Sequence, residues 1–293
     1  MQIGRAEIDG RERLLVNGAD GIRAAGGDLR MDDVITGWPA SRAGLESLDG
    51  PVLDPSEIHW LPPVMPDKLI CIGTNYRDHV DEMEAAGGPH VSAEPWPFSF
   101  LKPPHTSLTG HETEVRKPAH GTKLDWETEL AVVIGDGSKA RGENPLEAIF
   151  GYSVLNDLSV RDHIPVPHAL GLDALVAKGW EGSAPMGPFI VTADEIADPQ
   201  SLALSLRVNG DIKQDSNTAQ MIFGIREILA HLARVVPLSP GDVIATGTPA
   251  GVGAGKRPPE FLEPGDVVEA EVEGVGLLRT TIVAGPTPDP IRV

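Results

Sequence analysis

Aromatic residues make up only 4% of this 293-residue chain, and there is a single cysteine, Cys71. One cysteine excludes an intramolecular disulfide and any cysteine-cluster metal site, and it fits a reducing compartment. Basic residues are also scarce, with 24 Lys and Arg against 43 Asp and Glu, a formal net charge of −19. That balance argues against nucleic acid, which needs clustered cations to neutralise phosphate, and against an anionic membrane surface. No apolar run approaches the roughly 20 residues of a membrane span. The first residues, Met1-Gln2-Ile3-Gly4-Arg5-Ala6-Glu7-Ile8-Asp9, carry acids where a signal peptide would be apolar. A soluble, cytoplasmic protein is the expectation.

The chain is rich instead in turn formers, with 33 glycines and 27 prolines, above an ordinary combined share of roughly 12%. With 41% hydrophobic residues it has enough apolar material for a core. A fold with many strands and turns follows, and helical bundles are excluded. The first sixty residues read as short strands and turns. The Pro-rich run Leu61-Pro62-Pro63-Val64-Met65-Pro66 reads as a linker, because proline holds extended geometry and lacks a ladder donor. The boundary placed there gives a small N-terminal domain, 1–65, and a catalytic domain, 66–293.

Beyond it, residues 68–73 have a buried-strand pattern and 75–83 a helical one, while 87–121 read as loop. Residues 129–134 and 151–157 read as strands. Asn209-Gly210 between alternating runs is a hairpin signal, since both turn positions need positive φ. Residues 221–236 carry apolar residues at the 3.6-residue period and stop at Pro237. The acids Glu269, Glu271 and Glu273 share one strand face and read as solvated.

Several familiar motifs fail. Gly251-Val252-Gly253-Ala254-Gly255-Lys256 is close to a phosphate loop, but Ala250 replaces the opening glycine and Arg257 the hydroxyl residue. His111-Glu112 is not closed by a second histidine, since position 115 is Val. No Gly-x-Ser-x-Gly occurs, and Cys71 lies in an apolar strand pattern, which disfavours a thiol nucleophile.

The informative cluster is acidic. In Asp125-Trp126-Glu127-Thr128-Glu129, Glu127 and Glu129 share one face of a strand. Two carboxylates so close repel unless a cation lies between them, and oxygen ligands suit Mg²⁺, Mn²⁺ or Ca²⁺ rather than zinc. The same spacing also fits two exposed strand-face acids. Asp157 ends an otherwise apolar strand, where an unpaired charge is costly. It could be a third ligand or the N-cap of the next segment.

These segments stand among many that match a known pattern in order. They include Ile72-Gly73-Thr74-Asn75-Tyr76-Arg77-Asp78-His79-Val80-Asp81-Glu82-Met83, Phe100-Leu101-Lys102-Pro103 and Gly151-Tyr152-Ser153-Val154-Leu155-Asn156-Asp157-Leu158-Ser159-Val160-Arg161-Asp162. Later come Pro185-Met186-Gly187-Pro188, Gln214-Asp215-Ser216-Asn217-Thr218 and Pro240-Gly241-Asp242-Val243-Ile244-Ala245-Thr246-Gly247-Thr248-Pro249. Over about residues 66–282 the chain resembles the fumarylacetoacetate hydrolase family. The resemblance implies a mainly β fold with some α, a mixed β-sandwich or β-roll of the family's C-terminal domain type, usually in a homodimer. It implies one divalent metal, Mg²⁺ or Mn²⁺ by the family's habit, on Glu127, Glu129 and Asp157.

The resemblance also implies catalytic roles for His79, Glu82 and Lys178. His79 and Glu82 are spaced i, i+3, so a helix presents them together. A carboxylate that fixes a histidine tautomer makes a base able to activate water, although a surface ion pair has the same spacing. Lys178 could hold a substrate carboxylate or an oxyanion. Arg161 could grip a carboxylate as a bidentate fork or pair with a nearby acid such as Asp162. Thr248 and Lys102 are further substrate-binding candidates, with Thr248 equally able to serve as a turn hydroxyl. Two positions depart from the family's usual pattern. Gly179-Trp180-Glu181-Gly182 replaces a Ser-Phe-Asp-Thr-like run, and Ile164 stands where a glutamine is common.

The expected partner is a small 2-oxo acid, without nucleic acid or membrane. The leading expectation is a hydrolase that cleaves a C–C bond in an acylpyruvate-like 2,4-dioxo acid by way of an enolate. Oxaloacetate decarboxylation uses the same enolate without an attacking water, and isomerisation of a hydroxymuconate-type dienoic acid needs only a proton shuttle. A catalytically silent binding protein is the alternative outside enzymes, disfavoured by the intact set His79, Glu127, Glu129, Asp157 and Lys178.

Overall fold

The computed structural model describes residues 1–48, 50–85, 95–164 and 173–286. Its strands form one large and one smaller sheet. The large sheet has eleven strands. Its main path runs Gly21–Ala24, Arg11–Gly18, Gln2–Ile8, Ala184–Thr192, Ile149–Asn156, Thr128–Ile134, Val243–Ala245, Leu69–Gly73 and Phe98–Lys102. The smaller sheet orders Asp211–Asn217, Ala203–Val208, Val267–Val272, Gly276–Val283 and Thr113–Arg116. A ribbon of two short strands joins Leu124–Asp125 to Ser159–Val160. Most pairings are antiparallel, but Val243–Ala245 runs parallel to Leu69–Gly73 and Gly276–Val283 parallel to Thr113–Arg116. The mainly β, mixed-sheet expectation therefore holds.

Every residue of Thr128–Ile134, Ile149–Asn156 and Ala184–Thr192 is buried. A strand covered on both faces can be apolar on both, which explains why these runs read as continuous rather than alternating. The two-residue period still sorts their side chains. Leu130, Val132 and Ile134 enter the core shared with the smaller sheet and the helix Ile225–Val235. Ala131 and Val133 enter the opposite core, with Leu69, Cys71, Leu155 and the helix Met31–Thr36. Glu127 and Glu129 have the parity of Ala131 and Val133, so the acids cap that second core.

Three sequence expectations are corrected by packing. The first sixty residues also contain two short helices, Met31–Thr36 and Arg42–Glu46. Pro62, Pro63 and Val64 of the expected linker are buried, and the Pro62 carbonyl accepts a hydrogen bond from Arg5. The strand Gln2–Ile8 before it pairs with Ala184–Thr192. Among residues 95–121, expected as loop, the strands Phe98–Lys102 and Thr113–Arg116 form at sheet edges. Phe98 and Leu101 remain exposed there, which removed the apolar period from the sequence. The Asn209-Gly210 hairpin is present, with φ of 53° and 85°.

The predicted helix over 221–236 begins later, at Ile225, for a specific reason. Asn75 holds the preceding residues in an extended link. Its backbone carbonyl accepts from the Ile222 N–H at 2.7 Å, and its Oδ1 from the Phe223 N–H at 2.9 Å. Its Nδ2 donates to the Thr246 carbonyl at 2.8 Å. Asn75 is fully buried and immediately precedes the segment that leads into the helix Arg77–Ala85. It therefore ties that helix to two other parts of the chain. Asn75→Ala strands buried backbone groups and should cost about 2 kcal/mol. Urea unfolding with an unchanged slope would show it, and a midpoint equal to that of the parent would refute it.

Candidate metal centre and active site

Glu127, Glu129 and Asp157 come together at the ends of neighbouring strands. One ligand atom from each lies within 4.8 Å of the others. The antiparallel register sets this meeting, because Thr128 pairs with Asn156 and so places Glu127 beside Asp157. The link is locked twice: the Asp157 N–H donates to the Glu127 carbonyl at 2.9 Å, and the Glu127 N–H to Asn156 Oδ1 at 2.9 Å. Glu129 and Asp157 are each 1% exposed and Glu127 6%, so these are not solvated strand-face acids.

Buried carboxylates need counter-charge. Lys178 ends the short helix Ala174–Lys178, which Asp173 caps through the Val176 N–H. Its ammonium donates to Glu127 Oε2 at 2.8 Å and to Asp157 Oδ2 at 2.5 Å. Lys102 donates to Asp157 Oδ1 at 2.5 Å and to the Ser183 carbonyl at 2.7 Å. Arg161 donates through Nε to Asp125 Oδ2 at 2.8 Å and through Nη2 to Glu127 Oε1 at 2.7 Å. Arg161 thus pairs with nearby acids, but with Asp125 and Glu127 rather than Asp162. Asp162 instead accepts from the Thr122 and Lys123 amides.

Glu129 is served differently. It accepts from the Gly247 N–H at 2.7 Å, and among the described residues no cation pairs with it. The electrostatics follow. Burial alone would raise Glu127, but Lys178 and Arg161 outweigh it and hold its pKa down to about 2. Glu129 is pushed well above the usual carboxylate range by burial and by the charges of Asp157 and Glu127. Burial would lower Lys178, yet Asp157 and Glu127 keep it above its ordinary value and therefore charged. The donor set is three carboxylates, which suits a hard divalent cation such as Mg²⁺, Mn²⁺ or Ca²⁺. Such an ion would also relieve the repulsion that falls on Glu129, so the residues fit the group.

His79 lies on the helix Arg77–Ala85 and is 7% exposed. Its Nδ1 is 3.3 Å from Glu82 Oε2. The pair is therefore partly enclosed rather than a surface ion pair. Glu82 Oε1 accepts from the Gly251 N–H at 3.0 Å.

A cavity of about 140 Å³ opens onto part of this cluster, with Glu82 and Glu129 outside its lining. His79, Glu127, Asp157, Arg161, Lys178 and Thr248 line one part of it; Ile72, Met83, Phe98, Phe100, Ile164 and Ala174 line the rest. Lys102 does not line it and acts on Asp157 from behind. Thr248 is at the wall, but its hydroxyl donates to the Thr128 carbonyl at 2.9 Å and accepts from Gln214 at 2.8 Å. A more open groove of about 920 Å³ lies elsewhere, with His105, Arg116 and Trp180 on its walls and none of the clustered acids.

Sequence reasoning missed four contributors. Asp125 is fully buried and anchors Arg161, accepting also from the Gly253 and Ala254 amides at 2.7 and 3.0 Å. An acid at the head of an apolar run was the available signal. Thr74 lines the cavity at φ 56°, a left-handed conformation that is strained for a β-branched residue. Phe98 and Phe100 form cavity wall from an edge strand that the composition concealed.

The comparisons agree with this geometry. The family model described as "Fumarylacetoacetate (FAA) hydrolase C-terminal" matches residues 68–283. A human protein named oxaloacetate tautomerase FAHD2B, mitochondrial, is 40% identical over 235 residues, covering 80% of this chain and 72% of its own. The solved fumarylacetoacetate hydrolase from the psychrophile Exiguobacterium antarcticum superposes with a TM-score of 0.76 at 33% identity, covering 97% of this chain and 99% of its own. A maleylpyruvate hydrolase from Sphingobium sp. SYK-6, solved with manganese(II) ion and pyruvate, gives a TM-score of 0.74 at 28% identity, covering 97% of this chain and all of its own. The buried acidic triad, the sheet that carries it and a match across most of the chain together place this protein in the fumarylacetoacetate hydrolase family.

Proposed function

We propose that the protein is a divalent-metal-dependent hydrolase that cleaves a C–C bond in an acylpyruvate-like 2,4-dioxo acid. The observation that carries this reading is one cavity lined by His79, by Glu127 and Asp157 of the acidic triad and by an apolar wall, with Glu82 behind His79. A divalent cation on Glu127, Glu129 and Asp157 would supply Lewis acidity toward the 2-oxo acid end. Lys178, kept charged by its partners, adds positive potential beside it. Met83, Phe98, Phe100 and Ile164 give the acyl end an apolar lining, so a short uncharged acyl group suits this cavity better than a second carboxylate.

His79 acts as general base. Glu82 accepts a hydrogen bond from Nδ1–H and so leaves Nε2 free to take a proton from water. The water oxygen adds to the distal carbonyl carbon. The bond from that carbon to the neighbouring CH₂ then breaks, and its electron pair passes into the pyruvate enolate. Return of the proton from His79 to the former CH₂ carbon of the enolate gives pyruvate, and the carbon that gained the water oxygen leaves as the carboxylic acid. A homodimer in the cytoplasm belongs to this reading, and light scattering tests the assembly.

The human relative's name favours a second reading, keto–enol tautomerisation of oxaloacetate. That reaction needs a proton shuttle and no attacking water. Decarboxylation of oxaloacetate likewise needs no water. Acylpyruvates and oxaloacetate assayed in parallel separate the readings. Oxaloacetate turnover with no acylpyruvate cleavage would replace the first reading by the second.

Three outcomes are expected. Chelation should abolish turnover and Mn²⁺ or Mg²⁺ should restore it. Glu129→Gln should weaken Mn²⁺ binding by at least about 100-fold, measured by calorimetry; unchanged affinity would remove Glu129 from the site. His79→Ala should lower acylpyruvate cleavage about 10²- to 10⁴-fold while any oxaloacetate decarboxylation persists. Unchanged cleavage would refute the base assignment.

A further inference from the structure

The glycine-rich run 251–256, which fails as a phosphate loop, binds carboxylates of the protein itself. On one side, the Gly253 and Ala254 amides donate to Asp125, the anchor of Arg161. On the other, the Gly251 amide donates to Glu82. The loop therefore lies between the support of the acidic cluster and the partner of His79.

Gly255 has a particular relation to Glu82. A Cβ added there would overlap Glu82 Cδ and lie 2.7 Å from Oε1 and 2.8 Å from Cγ. Carbon atoms in ordinary contact stay about 3.5–4.0 Å apart, so the Glu82 side chain fills the space that any other residue would need. Gly255 is not among the positive-φ glycines. Alanine is therefore allowed by its backbone, and the three atoms nearest the added Cβ all belong to the flexible end of one side chain. Gly251 differs. Its φ is 101°, and a Cβ there would collide with the Lys213 carbonyl, so glycine is a requirement of the backbone.

We propose that Gly255 is a positioning residue: its bare Cα forms the seat that holds the Glu82 carboxylate between the Gly251 amide and His79 Nδ1. The inference rests on the reading of His79 and Glu82 as the water-activating pair. It assigns the glycine-rich loop a function in orienting the base, separate from turn formation.

The test is a double-mutant cycle on the full-length, Mn²⁺-loaded protein, with Gly255→Ala, Glu82→Ala and the pair. Gly255→Ala should lower kcat for acylpyruvate cleavage about 10- to 100-fold, the scale of a misplacement of about 1 Å. KM and Mn²⁺ affinity should stay within about twofold. In the Glu82→Ala background, where the carboxylate is gone and the Cβ has room, Gly255→Ala should change kcat by less than about twofold. An equal loss in both backgrounds would overturn the seat, as would a Gly255→Ala chain that folds in neither. Nitrogen-15 NMR of the His79 ring provides a readout independent of turnover. Nδ1–H should dominate in the parent and give way to a tautomer mixture in Gly255→Ala; identical spectra would overturn the proposal. If the parent cleaves no acylpyruvate, the functional reading fails, and the tautomer measurement alone decides the seat.

Discussion

Burying three carboxylates at one point is the constraint around which the rest of the site is arranged. Glu127 and Asp157 are compensated by two lysines and an arginine, each of which is itself held by a second partner. Arg161 reaches Glu127 only because Asp125 secures its Nε edge, and Asp125 is secured by backbone amides of residues 253 and 254. Removing one partner of such a pair leaves a buried charge exposed to a poor solvent, which costs more than the pair contributes. The geometry of the acids is therefore set by a connected network. Glu129, outside that network, carries the uncompensated repulsion.

The distribution of charge matters for how a ligand would reach this place. The chain as a whole is strongly acidic, so its field opposes an approaching anion. The described cations of the site lie against acids rather than toward solvent, so they act over ångströms and add little long-range attraction. Recognition of a 2-oxo acid would then depend on short-range contacts inside the cavity. The apolar wall of Met83, Phe98, Phe100 and Ile164 gives such contacts to the other end of the molecule.

The acids were legible in the sequence because their signals are local. Two glutamates at i, i+2 leading into a buried strand, and an aspartate after another, mark the place without knowledge of the pairing between strands, but the spacing also fits solvated acids, and the family resemblance decides for a metal site. His79 and Glu82 also have a local signal, one helical turn, but that spacing equally fits a surface ion pair, and the family resemblance decides for the catalytic reading. The partner of Arg161 was not legible, because Asp125 is brought to it by a ribbon pairing between segments over thirty residues apart. Thr248 and Lys102 have the same difficulty: their neighbours Gln214, Thr128 and Ser183 come from distant parts of the chain. The role of Gly255 had no sequence signal at all, since a missing Cβ is informative only when the group filling its space is known. The edge strand Phe98–Lys102 was hidden for a compositional reason, as its exposed Phe98 and Leu101 break the usual apolar alternation.

The pairing of Gln2–Ile8 with Ala184–Thr192 bears on how the molecule is made. The first strand of the chain cannot find its place in the sheet until residues well past the middle have been synthesised. The smaller sheet likewise needs Gly276–Val283 to close on Thr113–Arg116. Contacts of such long sequence separation carry a large loop-closure cost before they stabilise anything, and they slow folding. The site draws on residues from 79 to 255, so it can assemble only after most of the polypeptide has left the ribosome. Until then the acids that later converge are separate, solvated side chains on an unfinished chain.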